Sequence, residues 1–517
     1  MILRKPNLQS LLLGVLLIVG LCFRLYRIGQ PPMDVTGVRQ YHGALMARGL
    51  YEWLLTGSLK TFPPRQDLGT THPRLPGLLC IRNHRGEHLW IPRLLSASFW
   101  LVGGFFLYLV ARKIVSPNAA LFAVAFYMFD PAAVLHSRAF MPDPLMIMVL
   151  VISVYTILRY HEEPTTLRLA VAIVASSVAL FVKPGICLFQ IYGAFFALMI
   201  YRRGLLRSLG RAHSILFAVL TLIPVGLYYA LFLRGAATGR IAAETLLALP
   251  FWRGWLWQIE YMVGYVAFGG ALLGVLLLRP GSARALMAGL WAGYFLFGLV
   301  FAQHVQTHDY YSLQLIPVVA LSLGSVWDFL SGDLWRATSA RFLRVAIVGV
   351  FVLVLALSAT EHRENVVLIA RQGQGAAFPG RYLAHGTIAD YERRAKIYRE
   401  VGAVVDHSSK TIMFAPDYGH SLAYHGRLDG VFLYPESKSV REDFNALNKE
   451  YSPRYSIVIK RFAYYPRRMD WGGTGNVRNR EDLRSLLWRD YGVRANDHAY
   501  IVFDLRETDA DKSRHKS

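Results

Sequence analysis

Apolar residues gather in eleven segments that are each long enough, or nearly long enough, to cross a hydrocarbon core of about 30 Å. Polar residues are scarce inside these segments and collect between them. The pattern predicts a polytopic α-helical membrane domain over residues 1–360, with a long first loop at 27–92. The predicted spans are 8–26, 93–111, 119–135, 143–159, 167–182, 185–201, 214–233, 258–278, 285–302, 311–329 and 344–360.

The pattern changes after residue 360, where short apolar runs alternate with polar stretches of helical periodicity. Four runs have the length and residue types of strands, namely Thr411–Ala415, Gly430–Tyr434, Tyr455–Lys460 and Ala499–Leu505. Three polar stretches are predicted helices, namely Ala389–Val401, Arg441–Tyr451 and Asn479–Tyr491. This alternation predicts a small α/β domain over residues 361–517.

The composition agrees with a membrane protein. Of the 517 residues 54% are hydrophobic and only 17% are charged, whereas a soluble domain is about 25% charged. Three cysteines are too few for the disulfide framework of a small secreted protein. The net charge of +22 does not indicate nucleic acid, because the surplus lies in residues 1–360, with 30 Lys and Arg against 13 Asp and Glu. Loops that face an anionic membrane surface explain that surplus.

The distribution of Lys and Arg predicts how the chain crosses the membrane. With the N-terminus in the cytoplasm, the inner segments carry fifteen of these residues and the short outer loops carry five. Arg4 and Lys5 precede the first span and no cleavage motif follows it, so we expect an uncleaved signal anchor. The first loop and the C-terminal domain are then expected on the extracytoplasmic side of a bacterial plasma membrane.

Acidic residues of the membrane domain fall mostly on the predicted outer side. They are costly near a bilayer, yet nine of the thirteen lie on outer loops or at outer ends of spans, where His136 and His308 also lie. An extracytoplasmic active or binding site follows as a hypothesis. Asp34, just past the first span, is its first candidate, and a loop carboxylate paired with Arg39 is the structural alternative. The stretch from Arg39 to Tyr51 is predicted to be a helix along the membrane surface.

Asp143 and Lys183 lie at the outer ends of other predicted spans. Asp143 precedes Pro144 at a helix start, so its carboxylate is expected to cap the helix, which is compatible with orienting a ligand. Lys183 is followed by Pro184 with almost no loop around it. It either extends to the interface beside apolar residues or offers a point charge to a phosphate.

The run His308-Asp309-Tyr310-Tyr311 opens the tenth predicted span. Its structural interpretation is an interfacial aromatic belt with a capping Asp. Its functional interpretation is a polar rim that touches a sugar or a phosphate, or ligates a metal. One His-Asp pair does not establish a metal site, so dependence on a divalent metal stays open.

The ordered set of these segments, over about residues 8–330, resembles the membrane glycosyltransferases of the GT-C fold. The group it resembles is the dolichyl-phosphate-mannose-protein mannosyltransferase-like one, glycosyltransferase family 39 with its bacterial relatives. Val35 departs from the Asp-Glu pair that many relatives carry, which leaves subgroup and acceptor open. The similar segments are Arg24-Leu25-Tyr26-Arg27-Ile28-Gly29-Gln30-Pro31-Pro32-Met33-Asp34, Arg39-Gln40, Ala47-Arg48-Gly49-Leu50-Tyr51, His72-Pro73, Gly86-Glu87-His88, Met141-Pro142-Asp143-Pro144, Lys183-Pro184 and His308-Asp309-Tyr310-Tyr311.

The resemblance implies transfer of a sugar from a polyprenyl-phosphate donor to an acceptor hydroxyl on the extracytoplasmic face. Such a transfer needs a carboxylate base within hydrogen-bond reach of the acceptor hydroxyl, and we expect Asp34 to be that base. Direct displacement would invert the anomeric carbon, and Asp143 is expected to orient the acceptor or the sugar. The residues expected to bind the phosphate or sugar of the donor are Arg39, Gln40, Arg138, Lys183, His308, Asp309, Tyr310 and Tyr311. Membrane lipids are partners, and the acceptor is a glycan, a lipid or a protein.

Two other function classes were weighed. A transporter or flippase of a lipid-linked glycan would place charges near the midplane of several spans and often shows an internal repeat. Here the charges cluster on one side and the chain shows no repeat. A non-catalytic assembly protein would not need Asp34, Asp143 and Lys183 on one side of the membrane. The enzyme is therefore the favoured hypothesis.

Overall fold

The computed structural model describes most of the chain, in two compact units. One unit comprises Met1–Ile28 and Arg93–Ile369, and the other comprises Gly29–Pro92 and Ala370–Ser517. The described residues are 8–29, 32, 37–56, 82–83, 86–232, 243–335, 341–361, 388–407, 410–415, 419–433, 439–460, 483 and 485–506. Asp34 lies outside them.

The first unit is helical. Up to residue 361 the helices that the structure describes, of which α2 belongs to the second unit, are α1 (Leu8–Leu25), α2 (Gly37–Thr56), α3 (Trp90–Ala111), α4 (Pro117–Phe129), α5 (Pro131–Ser137), α6 (Asp143–Glu162), α7 (Thr166–Val182), α8 (Pro184–Arg203), α9 (Leu205–Leu209), α10 (Ala212–Phe232), α11 (Ala243–Leu247), α12 (Leu249–Val263), α13 (Tyr265–Leu277), α14 (Ser282–Val300), α15 (Ala302–Thr307), α16 (Leu315–Asp328) and α17 (Arg341–Glu361). A 3₁₀ turn, Asp309–Ser312, precedes α16, and a π-helical turn, Phe329–Leu334, follows it.

Each of the eleven predicted spans coincides with helix, to within a few residues at its ends. By length and composition, seven helices of the described chain are able to cross a membrane, or up to nine if each of two bent pairs counts as one span. The shorter apolar α7 and the helix α17 account for the two remaining predicted segments.

Two predicted spans, 119–135 and 258–278, each consist of two helices separated by a bend. Between α4 and α5 the axis bends by 60°, where Pro131 removes a backbone N–H and the Asp130 carboxylate accepts from the N–H of Ala133. Between α12 and α13 it bends by 88° at Gly264, whose φ of +74° favours glycine. The first break positions α5, which carries His136.

Small residues let α8 and α14 lie in close contact. A Cβ at Gly193 would lie 2.2 Å from the carbonyl oxygen of Gly289, and the reciprocal distance from Gly289 is also 2.2 Å. Such glycine crossings are a common way for membrane helices to pack, because apolar side chains gain little by leaving lipid. This crossing fixes the helix that begins directly after Lys183.

The second unit contains the two-stranded ribbon of β1 (Arg82–Asn83) and β2 (Gly86–Glu87), and a five-stranded sheet. The sheet order is β4-β3-β5-β7-β6, in which β3 is parallel to β4 and β5 while β7 is antiparallel to β5 and β6. The elements with described bounds after residue 361 are α18 (Ile388–Val404), β3 (Lys410–Phe414), α19 (His420–Gly426), β4 (Asp429–Phe432), α20 (Val440–Tyr451), β5 (Tyr455–Ile459), β6 (Gly492–Asn496) and β7 (Tyr500–Asp504). A core around Phe414, Phe444 and Phe503 packs beneath the sheet.

The predicted α/β alternation of the tail is confirmed at all four predicted strands, and α18 and α20 match two of the predicted helices. The third, Asn479–Tyr491, is helical where it is described, at 483 and 485–490. Strand β6 escaped prediction because it lies at the sheet edge, is mostly exposed and carries a bulge near Val493. Helix α19 escaped because it has only seven residues.

The predicted first-loop helix is confirmed as α2, but one of its faces is buried against protein. Ala44, Ala47 and Arg48 are at most 9% exposed, and an Arg48 Nη atom donates to the carbonyl oxygen of Tyr424 in α19 at 3.0 Å. The first loop and the C-terminal region therefore share one compact unit.

Candidate active site

Lys183 and Asp143, 40 residues apart in sequence, form a buried ion pair. The Nζ of Lys183 donates to Oδ1 of Asp143 at 2.5 Å, and the two side chains are only 5% and 1% exposed. Helix α6 already includes Asp143, and its preceding residue makes no side-chain capping bond, so the expectation that Asp143 caps this helix was wrong. The interfacial alternative for Lys183 was wrong too, because the ammonium is enclosed by protein. The Asp143 carboxylate therefore pairs with the Lys183 ammonium instead of the backbone N–H groups of its own helix.

The aromatic pair Tyr310 and Tyr311 completes the surroundings of this ammonium. The Nζ of Lys183 lies 4.7 Å from the ring centroid of Tyr310 and 4.5 Å from that of Tyr311. Ring faces attract a cation, so both contacts favour a charged lysine. The neighbouring His308 ring lies 5.5 Å from Tyr310 and 5.6 Å from Tyr311.

Asp309 connects the aromatic pair to a second buried polar group. Its Oδ1 accepts from the backbone N–H of Tyr310 at 2.7 Å, and its Oδ2 lies 3.7 Å from Nε2 of His136. The hydroxyl of Tyr261, in α12, shares a 3.4 Å hydrogen bond with the same His136 nitrogen. One polar cluster therefore runs from Lys183 to Tyr261.

His136 and Tyr261 were missed as site residues in the sequence. His136 was counted among the outer histidines, and its position in an apolar stretch before Arg138 was the signal that could have singled it out. Tyr261 lies in an aromatic-rich helix and offered no such signal.

Two arginines are buried around the break that precedes this cluster. Arg138 is 3% exposed and ends α5. Arg24 is fully buried in α1, where it donates to the Ser137 hydroxyl at 2.6 Å and to the Met128 carbonyl oxygen at 3.0 Å. Arg24 thereby connects α1 to the end of α4 and to α5, the two helices at the break.

Not every predicted site residue belongs to this cluster. Asp143, Lys183, His308, Asp309, Tyr310 and Tyr311 come together, and Arg138 lies two residues beyond His136. Arg39 and Gln40 belong to the second unit, where Gln40 is fully buried in α2 and Arg39 is half-buried. Asp34, the predicted base, lies outside the described residues.

The arrangement is suited to binding an anion next to two carboxylates. Lys183 also precedes the first residue of α8, whose N-terminal N–H groups and dipole favour negative charge. In the described ranges no group of three or more His, Cys, Asp or Glu side chains is placed to hold a metal ion. Metal dependence therefore stays open.

Comparison with known proteins supports the resemblance found in the sequence. The family model described as dolichyl-phosphate-mannose-protein mannosyltransferase matches residues 79–229. The apo crystal structure of ArnT from Cupriavidus metallidurans has a TM-score of 0.55 and 17% identity, over 95% of this chain and 97% of that one. A crystal structure of ArnT bound to undecaprenyl phosphate has a TM-score of 0.52 and 15% identity, over 97% and 98%.

A more distant likeness is the oligosaccharyltransferase from Archaeoglobus fulgidus tethered with an acceptor peptide. Its TM-score is 0.50 and its identity 14%, over 88% of this chain and 69% of that one. A search of the curated proteins finds no match. The chain therefore is an integral membrane protein with the GT-C fold and a C-terminal region that contains a small sheet.

Proposed function

We propose that this protein transfers a sugar from a polyprenyl-phosphate donor to an acceptor hydroxyl, with inversion, at the extracytoplasmic face of the membrane. The observation that carries the proposal is the buried cluster of Lys183, Asp143 and Asp309 beside Tyr310 and Tyr311. Buried charges in a membrane domain are costly and mark functional sites. The family model and the solved structure of ArnT with undecaprenyl phosphate support the same chemistry.

Lys183 is assigned to the phosphate of the donor. When the anomeric C–O bond breaks, the polyprenyl phosphate that leaves carries more negative charge than the donor did. A preorganised ammonium in a low-dielectric site stabilises that developing charge. Asp143 holds the ammonium in place through the 2.5 Å contact until the phosphate shares it.

Asp34 is assigned as the general base, because the attacking hydroxyl must lose a proton to a group within hydrogen-bond reach. Direct attack by that hydroxyl opposite the departing phosphate inverts the anomeric centre. Asp143 then orients the acceptor or the sugar. Arg39, Gln40, Arg138 and His308 are further donor-binding residues in this proposal, and Asp309 acts with His136 to fix the Tyr310 backbone.

The proposed orientation places the N-terminus in the cytoplasm and the C-terminal α/β region outside, in a bacterial plasma membrane. The excess of Lys and Arg on the predicted inner segments supports it. Residues of the cluster all fall on the outer side in this orientation. The acceptor is a glycan, a lipid or a protein that presents a hydroxyl there.

The test uses purified protein in lipid with polyprenyl-phosphate sugars, and it follows release of free polyprenyl phosphate. Wild type is expected to release it, and Asp34→Asn is expected to lose about 10²–10⁴ in rate, as is usual when a general base is removed. Thermal melting curves and size-exclusion chromatography serve as the folding controls for Asp34→Asn.

Three results are distinguishable. Equal release by wild type and Asp34→Asn would keep the transferase and remove Asp34 from the base role. Donor that crosses the bilayer intact, with no release, would favour the transporter. Absence of both, in a folded sample given crude membrane acceptors, would overturn the proposed reaction.

A further inference from the structure

Three glutamines are buried completely in the helices around the charged cluster. Gln190 lies in α8, Gln258 in α12, and Gln314 directly before α16, and each side chain is 0% exposed. Glutamine amides are unfavourable inside an apolar bundle unless their hydrogen bonds are satisfied. Their position beside the cluster therefore calls for a physical explanation.

Contacts attach two of these amides to the cluster. The Nε2 of Gln314 donates to the carbonyl oxygen of Tyr311 at 3.3 Å, and the Nε2 of Gln190 donates to the carbonyl oxygen of Gln314 at 3.4 Å. Tyr311 is the residue whose ring lies 4.5 Å from the Lys183 ammonium. The two amides are thus hydrogen-bonded to the backbone of the segment from Tyr311 to Gln314, whose first residue also places its ring beside the Lys183 ammonium.

Each of these glutamines has an amide atom that no described residue satisfies. The Oε1 atoms of Gln190 and Gln314 accept no hydrogen bond within the described chain, and neither amide atom of Gln258 has a partner there. Gln258 lies three residues before Tyr261, on the same face of α12, and Tyr261 contacts His136. The Nδ1 of His136, which is 1% exposed, is likewise unpaired among the described residues.

The backbones of α8 and α14 lie in close contact at Gln190. A Cβ at Gly293 of α14 would lie 2.6 Å from the Cα of Gln190. This contact leaves the amide no room to relocate by moving its helix, so its position is set by packing. Preorganised polar groups of this kind are typical of ligand-recognition sites.

We propose that Gln190, Gln314 and Gln258 form a subsite that binds the hydroxyl groups of the donor's sugar. The inference rests on the proposed function. Hydrogen-bonding chemistry decides which part of the donor, the prenyl chain, the phosphate or the sugar, fits these amides. A prenyl chain has no hydrogen-bond donors, and a phosphate is repelled by the two amide oxygens. A sugar ring carries several hydroxyls that donate to such oxygens and accept from the amide N–H of Gln258.

The test separates sugar recognition from phosphate recognition by using two ligands. One is the polyprenyl-phosphate sugar, and the other is free polyprenyl phosphate, which shares the lipid and the phosphate but has no sugar. For Gln314→Leu and Gln190→Leu we expect KM for the donor to rise roughly tenfold, the usual weight of a hydrogen bond. The inhibition constant of free polyprenyl phosphate is expected to stay within about twofold.

Ser325→Ala is the matched control, because Ser325 is a buried hydroxyl without a described partner further along the same α16. It is expected to change neither constant. The leucine variants are expected to fold, because leucine has a similar volume and removes an amide oxygen that is already unsatisfied, at the cost of one weak amide hydrogen bond in each variant.

A thermal-shift comparison, which measures the gain in melting temperature on ligand binding, tests the same subsite without turnover. Wild type is expected to gain more stability from the sugar-bearing donor than from free polyprenyl phosphate, and the leucine variants are expected to lose that difference. Equal rises in KM for the donor and in the inhibition constant of free polyprenyl phosphate would overturn the subsite, because the amides would then support the phosphate end. No change in either constant would overturn it too, because the amides would then bind only water. A wild type that shows the thermal difference but releases no polyprenyl phosphate would instead overturn the proposed reaction.

Discussion

At the scale of single residues, the proposed reaction depends on the ammonium of Lys183. It is held by the Asp143 carboxylate at 2.5 Å and by the rings of Tyr310 and Tyr311. A buried pair of this kind adds little net stability, because desolvation offsets its attraction. In the proposed reaction the pair has a different role, since the ammonium is shared with the phosphate of the donor.

Replacing Lys183 by Met is expected to lower the rate of polyprenyl phosphate release by about 10²–10³, the usual loss when one preorganised donor is removed. Lys183→Arg, which keeps the charge but not the geometry, is expected to lose less. The measurement is initial rate at saturating donor.

Lys113→Met provides the matched control. Lys113 also forms an ion pair, with Glu162 at 2.7 Å, but its side chain is 22% exposed and belongs to the predicted inner side. It is expected to keep its activity. Equal losses in both variants would show that the Lys183 effect is not specific to the site. Because Lys183→Met leaves a buried carboxylate, the double variant with Asp143→Asn tests whether stability alone explains the loss.

Several of these residues could be predicted from the sequence, because charged groups in apolar segments are conspicuous. Asp143, Lys183 and Asp309 were each found in this way. The contact between Lys183 and Asp143 could not be predicted, since it depends on how α6 and α8 pack. The place of His136 in the site could not be predicted either, because it depends on the tertiary contact between His136 and Asp309.

At the scale of elements, α2 of the first loop is joined to the C-terminal region through a cluster of half-buried histidines and buried tyrosines. His42 Nδ1 and His420 Nε2 lie 3.2 Å apart. The hydroxyls of Tyr41 and Tyr391 are hydrogen-bonded to each other, and both reach Nε2 of His425, at 3.2 Å and 2.5 Å. This contact between α2 and α19 was not predicted, because α19 itself was not.

Burial sets the protonation of this cluster. It lowers the pKa of His420 to about 3, with His42 and Arg39 adding to the effect, and lowers the pKa of His425 to about 4, with Arg399, Arg48 and Arg394 adding. Burial also raises the pKa of Tyr391, so its phenol stays protonated and can donate to His425. The neutral imidazoles are therefore the forms that the folded unit prefers.

Acid is expected to weaken the packing of α2. The unfolded histidines protonate near pH 6.5, and the folded ones only near 3 to 4, so the stabilisation is complete above about pH 6.5 and is lost as the pH falls below it. Between pH 7.5 and 5 we expect a loss of about 2 kcal/mol per histidine. Amide hydrogen-exchange protection in Gly37–Thr56, corrected for intrinsic rates, measures it.

His420→Gln should reduce this dependence on pH, because glutamine does not titrate. His498→Gln is the control, since His498 is 78% exposed beside Asp497. Protection in α2 that is the same at both pH values would contradict the role assigned to His420 and His425.

The sequence pattern predicted the elements more completely than their interruptions. Eleven apolar segments and four strands were recognised because burial on one or all faces leaves a strong periodic signal. The bends at Pro131 and Gly264 were not predicted, since apolar residues continue on both sides of each break. One of these bends places α5, with His136, in the site.

At the scale of the whole molecule, the chain combines a GT-C membrane fold with a second unit that contains both the first loop and the C-terminal sheet. The predicted division at residue 360 stays a prediction, as does the orientation in the membrane. The solved ArnT structures match nearly the full length of this chain at 15% and 17% identity. Since such likeness establishes the fold and not the reaction, the site carries the functional argument.

The central claim is that the phosphate of a polyprenyl-phosphate donor binds at Lys183. The most direct measurement is a structure of the wild-type protein in lipid with bound polyprenyl phosphate. We expect phosphate oxygens within about 3 Å of the Lys183 Nζ, the distance of a charge-assisted hydrogen bond, with Tyr310 and Tyr311 beside them. A phosphate bound elsewhere, with the 2.5 Å contact between Lys183 and Asp143 unchanged, would contradict it.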